Sequence, residues 1–128
     1  MSDHFDSNRG GLIVVLTTVF GPAGKGMARM ALDTGATISL LNWEFLVGLG
    51  YEPGKEKGRI PVTTGSGVEF VPRLKVKQVE ALGQRRRNFS FLCHNLPPSA
   101  TVDGLLGLDF MRKKRLVVEF RKGILSLD

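Results

Sequence analysis

Asp33 is followed by Thr34 and Gly35, and no other aspartate in the chain stands in an Asp-Thr-Gly or Asp-Ser-Gly tripeptide. An apolar run ends at Leu32, immediately before it. The carboxylate is therefore set at the end of a predicted strand, where glycine allows a sharp backbone turn. A side chain so placed can do general acid–base chemistry, taking a proton from water or giving one to a reacting oxygen. Asp, Thr and Gly also favour ordinary turns, so the tripeptide by itself leaves a plain turn as the alternative.

The other reactive side chains are less well placed. Asp103 fits a turn, and Asp109 fits the first turn of a short helix, where the helix dipole favours negative charge; both read as structural. His4 and His94 have no carboxylate or thiol at ligand spacing except Cys93 beside His94, and neighbours in a strand face opposite ways. No metal is expected. Cys93, the single cysteine, has no internal disulfide partner and no base recognisable in the sequence to activate it, so it reads as a core thiol. Gly65 and Gly67 lie in Thr64-Gly65-Ser66-Gly67 with no Gly-Lys-Ser/Thr after them, which argues against a phosphate loop. Trp43, Phe45 and Leu46 read as core, and no cofactor is expected.

The elements that must position Asp33 follow from short apolar runs separated by turn residues. The β-branched stretch within residues 11–20 predicts a strand, Gly21-Pro22-Ala23-Gly24-Lys25-Gly26 a turn, and residues 27–32 a returning strand that leads into Asp33. After residues 38–41, Asn42 can cap a short helix over residues 43–47, closed by Gly48 or Gly50. Residues 59–63 and 68–72 predict a hairpin around the glycine-bearing tip at residues 64–67. Residues 74–82 with 88–92, and residues 116–120 with 124–127, predict two further hairpins. Residues 1–10 are polar and aperiodic and read as a flexible N-terminal arm, with one folded domain over residues 11–128.

The chain has 128 residues, of which 42% are hydrophobic and 23% charged, a globular composition sized for one core. Sixteen glycines, six prolines and no apolar run of membrane-spanning length point to a mainly β protein with no membrane segment; a cytoplasmic location is the expectation. The net charge of +6 would suit an anionic partner. Its clusters, Arg85-Arg86-Arg87 and Met111-Arg112-Lys113-Lys114-Arg115, are not interleaved with aromatics. The arginines read as a solvated hairpin tip, and nucleic acid is not the expected partner.

The order of these features resembles the retropepsin-like family of aspartic proteases, in pattern its cellular and bacterial single-domain members more than its viral ones. The likeness covers nearly all of the chain after Gly11. It implies an all-β fold, a closed acid-protease-type β-barrel with one or two short helices and one lobe per chain. It further implies that Asp33 is the catalytic aspartate, that Thr34 reaches across a two-fold axis, and that Gly35 completes the loop. Ala36, Thr37, Leu105 and Leu106 would line the substrate site, and Thr64, Gly65, Ser66 and Gly67 would form the flap above it. Viral members carry an aspartate where Thr37 stands and an arginine where Leu108 stands; both charges are absent here, which leaves open how the loop is braced.

Peptide hydrolysis without a metal needs one carboxylate to accept a proton from water and a second to protonate the carbonyl oxygen, the two sharing one proton because close like charges cannot both ionise. A chain with one such motif can supply two carboxylates through a symmetric dimer. The expected function is thus an aspartic endopeptidase, a homodimer that takes a peptide or protein substrate in extended conformation. The alternative is a catalytically silent dimeric peptide-binding or scaffold domain of the same fold.

Overall fold

The computed structural model describes residues 2–5 and 11–128. Strands β2 (Val14–Gly21) and β3 (Gly24–Leu32) form the first hairpin. On β2, Val15, Thr17 and Val19 all face the interior, the two-residue period that a half-buried strand requires. The short strand β4 (Leu40–Leu41) and helix α1 (Trp43–Gly48) follow. Then come β5 (Arg59–Thr64), β6 (Gly67–Ala81), β7 (Gln84–Cys93) and β8 (Gly104–Leu106). Helix α2 (Leu108–Met111) leads to the terminal hairpin of β9 (Leu116–Glu119) and β10 (Ile124–Leu127).

Six strands in the order β2-β3-β8-β4-β7-β6 close into a barrel, because β6 also pairs with β2 from Thr18↔Glu80 to Phe20↔Gln78. β5 adds to β6 outside this ring. Closure removes the open edges that would otherwise seek partners. Phe91, Phe110, Met30, Leu41, Leu46, Leu74, Leu106, Leu125 and Leu127 fill the interior with almost no exposure, each contributing about 1.5–3 kcal/mol by leaving water. A smaller cluster of Leu40, Val71 and Leu92 packs with Ile38, Ile60 and Leu105. The all-β barrel with two short helices is the architecture expected from the sequence. Among the described residues no helix is long and apolar enough to cross a membrane.

Several local readings change. The predicted strands 68–72 and 74–82 are one strand, the 15-residue β6. Pro72 does not interrupt it, because Pro72 is the last residue paired with β5 and Arg73 the first paired with β7. The missing N–H thus falls where the strand changes partners, a position that proline tolerates. The arginines are not at a hairpin tip: the turn is Leu82-Gly83, both at positive φ (53° and 73°), and the three arginines lie within β7. Arg86 is half-buried, with its guanidinium 4.9 Å from the Phe110 ring centroid and donating to the Phe110 carbonyl at 3.0 Å.

Asn42 occupies the N-cap position of α1 but makes no side-chain cap bond. Its Oδ1 instead accepts from the Leu96 amide at 3.1 Å, and Asn95 Oδ1 accepts from the Trp43 amide at 2.9 Å. The helix is thus capped from the loop after β7. Bonds from the Gly50 and Tyr51 amides to the carbonyls of Val47 and Leu46 close its other end. At the N-terminus, Ser2–His4 forms β1 and pairs with β10, giving a three-stranded sheet β1-β10-β9; residues 6–10 of the expected arm lie outside the described residues.

Candidate active site

Asp33 leaves the end of β3 at the point where β3 runs parallel to β8. Its amide donates to the Leu106 carbonyl at 3.0 Å, which anchors the start of the loop to the barrel. The Gly35 amide donates to Asp33 Oδ1 at 2.9 Å, and the Ala36 amide to the Asp33 carbonyl at 3.1 Å. These bonds fold the tripeptide into a tight turn that holds one carboxylate oxygen and leaves the side chain partly exposed. Thr34, Gly35 and Thr37 are exposed beside it, and Ala36 is half-buried.

A second loop lies against the first. The Leu108 amide donates to the Ala36 carbonyl at 2.8 Å, and a side chain on Gly107 would put its Cβ 2.6 Å from that carbonyl oxygen. Only glycine allows so close a crossing. Beneath it, Ser39 is fully buried and its Oγ donates to Asp109 Oδ1 at 2.6 Å. The Ser39 amide also donates to both Asp109 oxygens, and Ser39 Oγ accepts from the Gly107 amide at 2.9 Å. The brace of the loop is therefore a hydroxyl–carboxylate pair, standing where the charged pair of Thr37 and Leu108 positions is absent.

Of the residues singled out in the sequence, Asp33, Thr34, Gly35, Ala36, Leu105 and Leu106 come together at the β3–β8 junction. Leu106 is fully buried with its side chain in the core, so what it offers the loop is its carbonyl. Gly65, Ser66 and Gly67 are exposed at the tip of the β5–β6 hairpin, whose register is closed by Thr64↔Gly67. Val68 and Phe70, 59% and 66% exposed, extend an apolar surface down the same arm. Asp103 binds the Arg29 amide at 2.8 Å and is structural. Sequence reading missed Ser39; its signal was one hydroxyl in the apolar run of residues 38–41, with Asp109 two places after Gly107. Cys93 is buried, and burial pushes its thiol up to about 11. Among the described residues no three of His, Cys, Asp and Glu converge as a metal site would require.

A closed barrel whose Asp-Thr-Gly loop is crossed by a glycine loop from the far end of the domain defines a one-lobed acid-protease-type protein. The chain belongs to the aspartyl protease family, whose model, described as Aspartyl protease, matches residues 17–110. Its fold is retropepsin-like. It is similar to the crystal structure of a retropepsin-like aspartic protease from Rickettsia conorii, with TM-score 0.74 and 21% identity over 99% of this chain and 89% of that one. It is similar also to the EIAV protease in complex with the inhibitor HBY-793, with TM-score 0.61 and 19% identity over 82% of this chain and 89% of that one. The retroviral protease-like domain of Ddi1 from Leishmania major gives TM-score 0.63 and 17% identity over 94% and 90%. No curated protein matches the sequence.

Proposed function

We propose that the protein is an aspartic endopeptidase whose active species is a homodimer, with one Asp33 contributed by each chain. The observation that carries this reading is the intact loop: a partly exposed Asp33 carboxylate with one oxygen held by the Gly35 amide, in a chain with a single copy of the motif. In the dimer one Asp33 carboxylate takes a proton from water as the oxygen attacks the scissile carbonyl. The other, protonated, gives its proton to the carbonyl oxygen, and collapse of the tetrahedral species passes a proton to the leaving amine. Substrate lies extended between the loop and the β5–β6 flap, bonded through its backbone as added strands are. Thr37, Leu105 and the flap tip at residues 64–67 form its walls, while Ala36 and Leu106 support the loop from behind.

The test is peptidase activity of Asp33→Asn, which keeps the size of the side chain and removes the ionisable group. The variant is expected to lose about a thousandfold or more in kcat/KM while its circular dichroism is unchanged. Full activity in the folded variant would overturn the mechanism. A wild-type dimer that binds extended peptides without cleaving them would instead assign the silent scaffold role.

A further inference from the structure

A cavity of about 500 Å³ opens on the outside of the barrel, lined by Phe20, Lys25, Lys77, Gln78 and Arg87 with two glycines of the β2–β3 turn. It is far from Asp33: Lys25 and Asp33 stand at opposite ends of β3, a separation of roughly 26 Å at about 3.3 Å per residue. The strand register explains how it is built. Lys25 pairs with Phe20, Phe20 with Gln78, and Gln78 with Arg87, so one row of side chains crosses β3, β2, β6 and β7.

Both β6 and β7 lose their alternation here. Leu74 and Val76 face the core, as do Val79 and Ala81, so Lys77 and Gln78 both turn outward. On β7 the adjacent Arg87 and Asn88 are both exposed, and Asn88 takes a positive φ of 54°. The pairing stays in step across this place, Val76↔Phe89 on one side and Gln78↔Arg87 on the other, so the two strands are distorted together and their side chains re-aimed. Tyr51 fixes the distortion, its hydroxyl accepting from the Lys77 amide at 2.8 Å and donating to the Phe20 carbonyl at 2.6 Å.

The chemistry of the row is one-sided. No carboxylate lines it, and among the described residues no ion pair involves Lys25, Lys77 or Arg87. Lys25 Nζ lies 5.9 Å from the Phe20 ring centroid, over the apolar middle of the row. Three strand spacings of about 4.8 Å separate the backbone positions of Lys25 and Arg87 by roughly 14 Å. An extended polypeptide, at about 3.3 Å per residue, spans the row with acidic side chains roughly four positions apart and an apolar residue between them.

We propose that this face of the barrel, the Lys25–Phe20–Gln78–Arg87 row with Lys77, is a docking site for acidic polypeptide segments with an apolar residue at their centre. The proposal is independent of whether the protein cleaves peptides, and the experiment is done on Asp33→Asn so that cleavage plays no part. The probe is a fluorescent eight-residue peptide with glutamate pairs flanking two leucines, followed by anisotropy at low salt. Expected are saturable binding, at least a tenfold loss for the combined Lys25→Gln, Lys77→Gln and Arg87→Gln protein, and less than a twofold loss for Arg112→Gln with Lys113→Gln and Lys114→Gln. A probe with glutamines for the glutamates is expected to lose as much, which tests the charge from the ligand side without altering the fold. Absence of binding, equal losses in the two variants, or unchanged binding of the glutamine probe would overturn the proposal. So would tighter binding of ATP or an oligonucleotide that depends on the same three cations, which would give the face to a phosphate ligand.

Discussion

At the scale of single residues, the loop around Asp33 depends on a group that carries no chemistry of its own. Ser39 Oγ satisfies the Gly107 amide and is held in turn by Asp109. Ser39→Ala leaves that buried amide without its partner, at a cost of about 1–3 kcal/mol. A lower urea midpoint with an unchanged m-value is the expected result, and an unchanged midpoint would show that the network contributes nothing. Cys93 makes the opposite case, a reactive type made inert. Its thiol, pushed up to about 11 chiefly by burial, stays protonated at pH 8, and the thiolate is the nucleophile. Native protein at pH 8 is therefore expected to resist iodoacetamide for hours, with one equivalent reacting after denaturation, as mass spectrometry would read; rapid labelling of the native chain would contradict the burial.

At the scale of elements, the flap is the hairpin with most at stake. Gly67 sits at φ +127°, which side-chain-bearing residues rarely adopt, whereas Gly65 has no such φ and open space around its Cβ position. Gly67→Val strains the tip by roughly 1–2 kcal/mol, and on the proposed function kcat/KM falls on the order of tenfold. Gly65→Val is expected to be milder. Equal effects of the two would mean that bulk, not backbone conformation, governs the tip. The hairpins were legible in the sequence because strand alternation and turn residues are local signals. The union of two predicted strands into β6 was not, since whether Pro72 breaks a strand depends on which neighbour wants its N–H.

At the scale of the molecule, a single lobe with one Asp33 leads to a dimer on the proposed function. Thr34 is exposed next to Asp33, with no hydrogen bond of its side chain among the described residues. If its hydroxyl bridges the two loops, Thr34→Ala removes two symmetric bonds, about 1–3 kcal/mol together, and raises the dimer dissociation constant by about 5- to 150-fold. Sedimentation and the dilution dependence of specific activity would read this. A fully active monomer would refute the dimer outright.

The sequence by itself determined the β2–β3, flap and terminal hairpins, the strand-end position of Asp33-Thr34-Gly35, and the burial of Cys93, because hydrophobic period and turn chemistry act within a few residues. The tertiary structure decided what closes over those elements. Ser39 and Asp109 lie 70 positions apart, and Asn42 and Asn95 lie 53 apart. Arg86 leaves solvent for the face of Phe110. Lys25 and Arg87 join one row only because β6 pairs with β2 and closes the barrel. Each of these depends on which distant segments become neighbours, and local pattern carries no record of that.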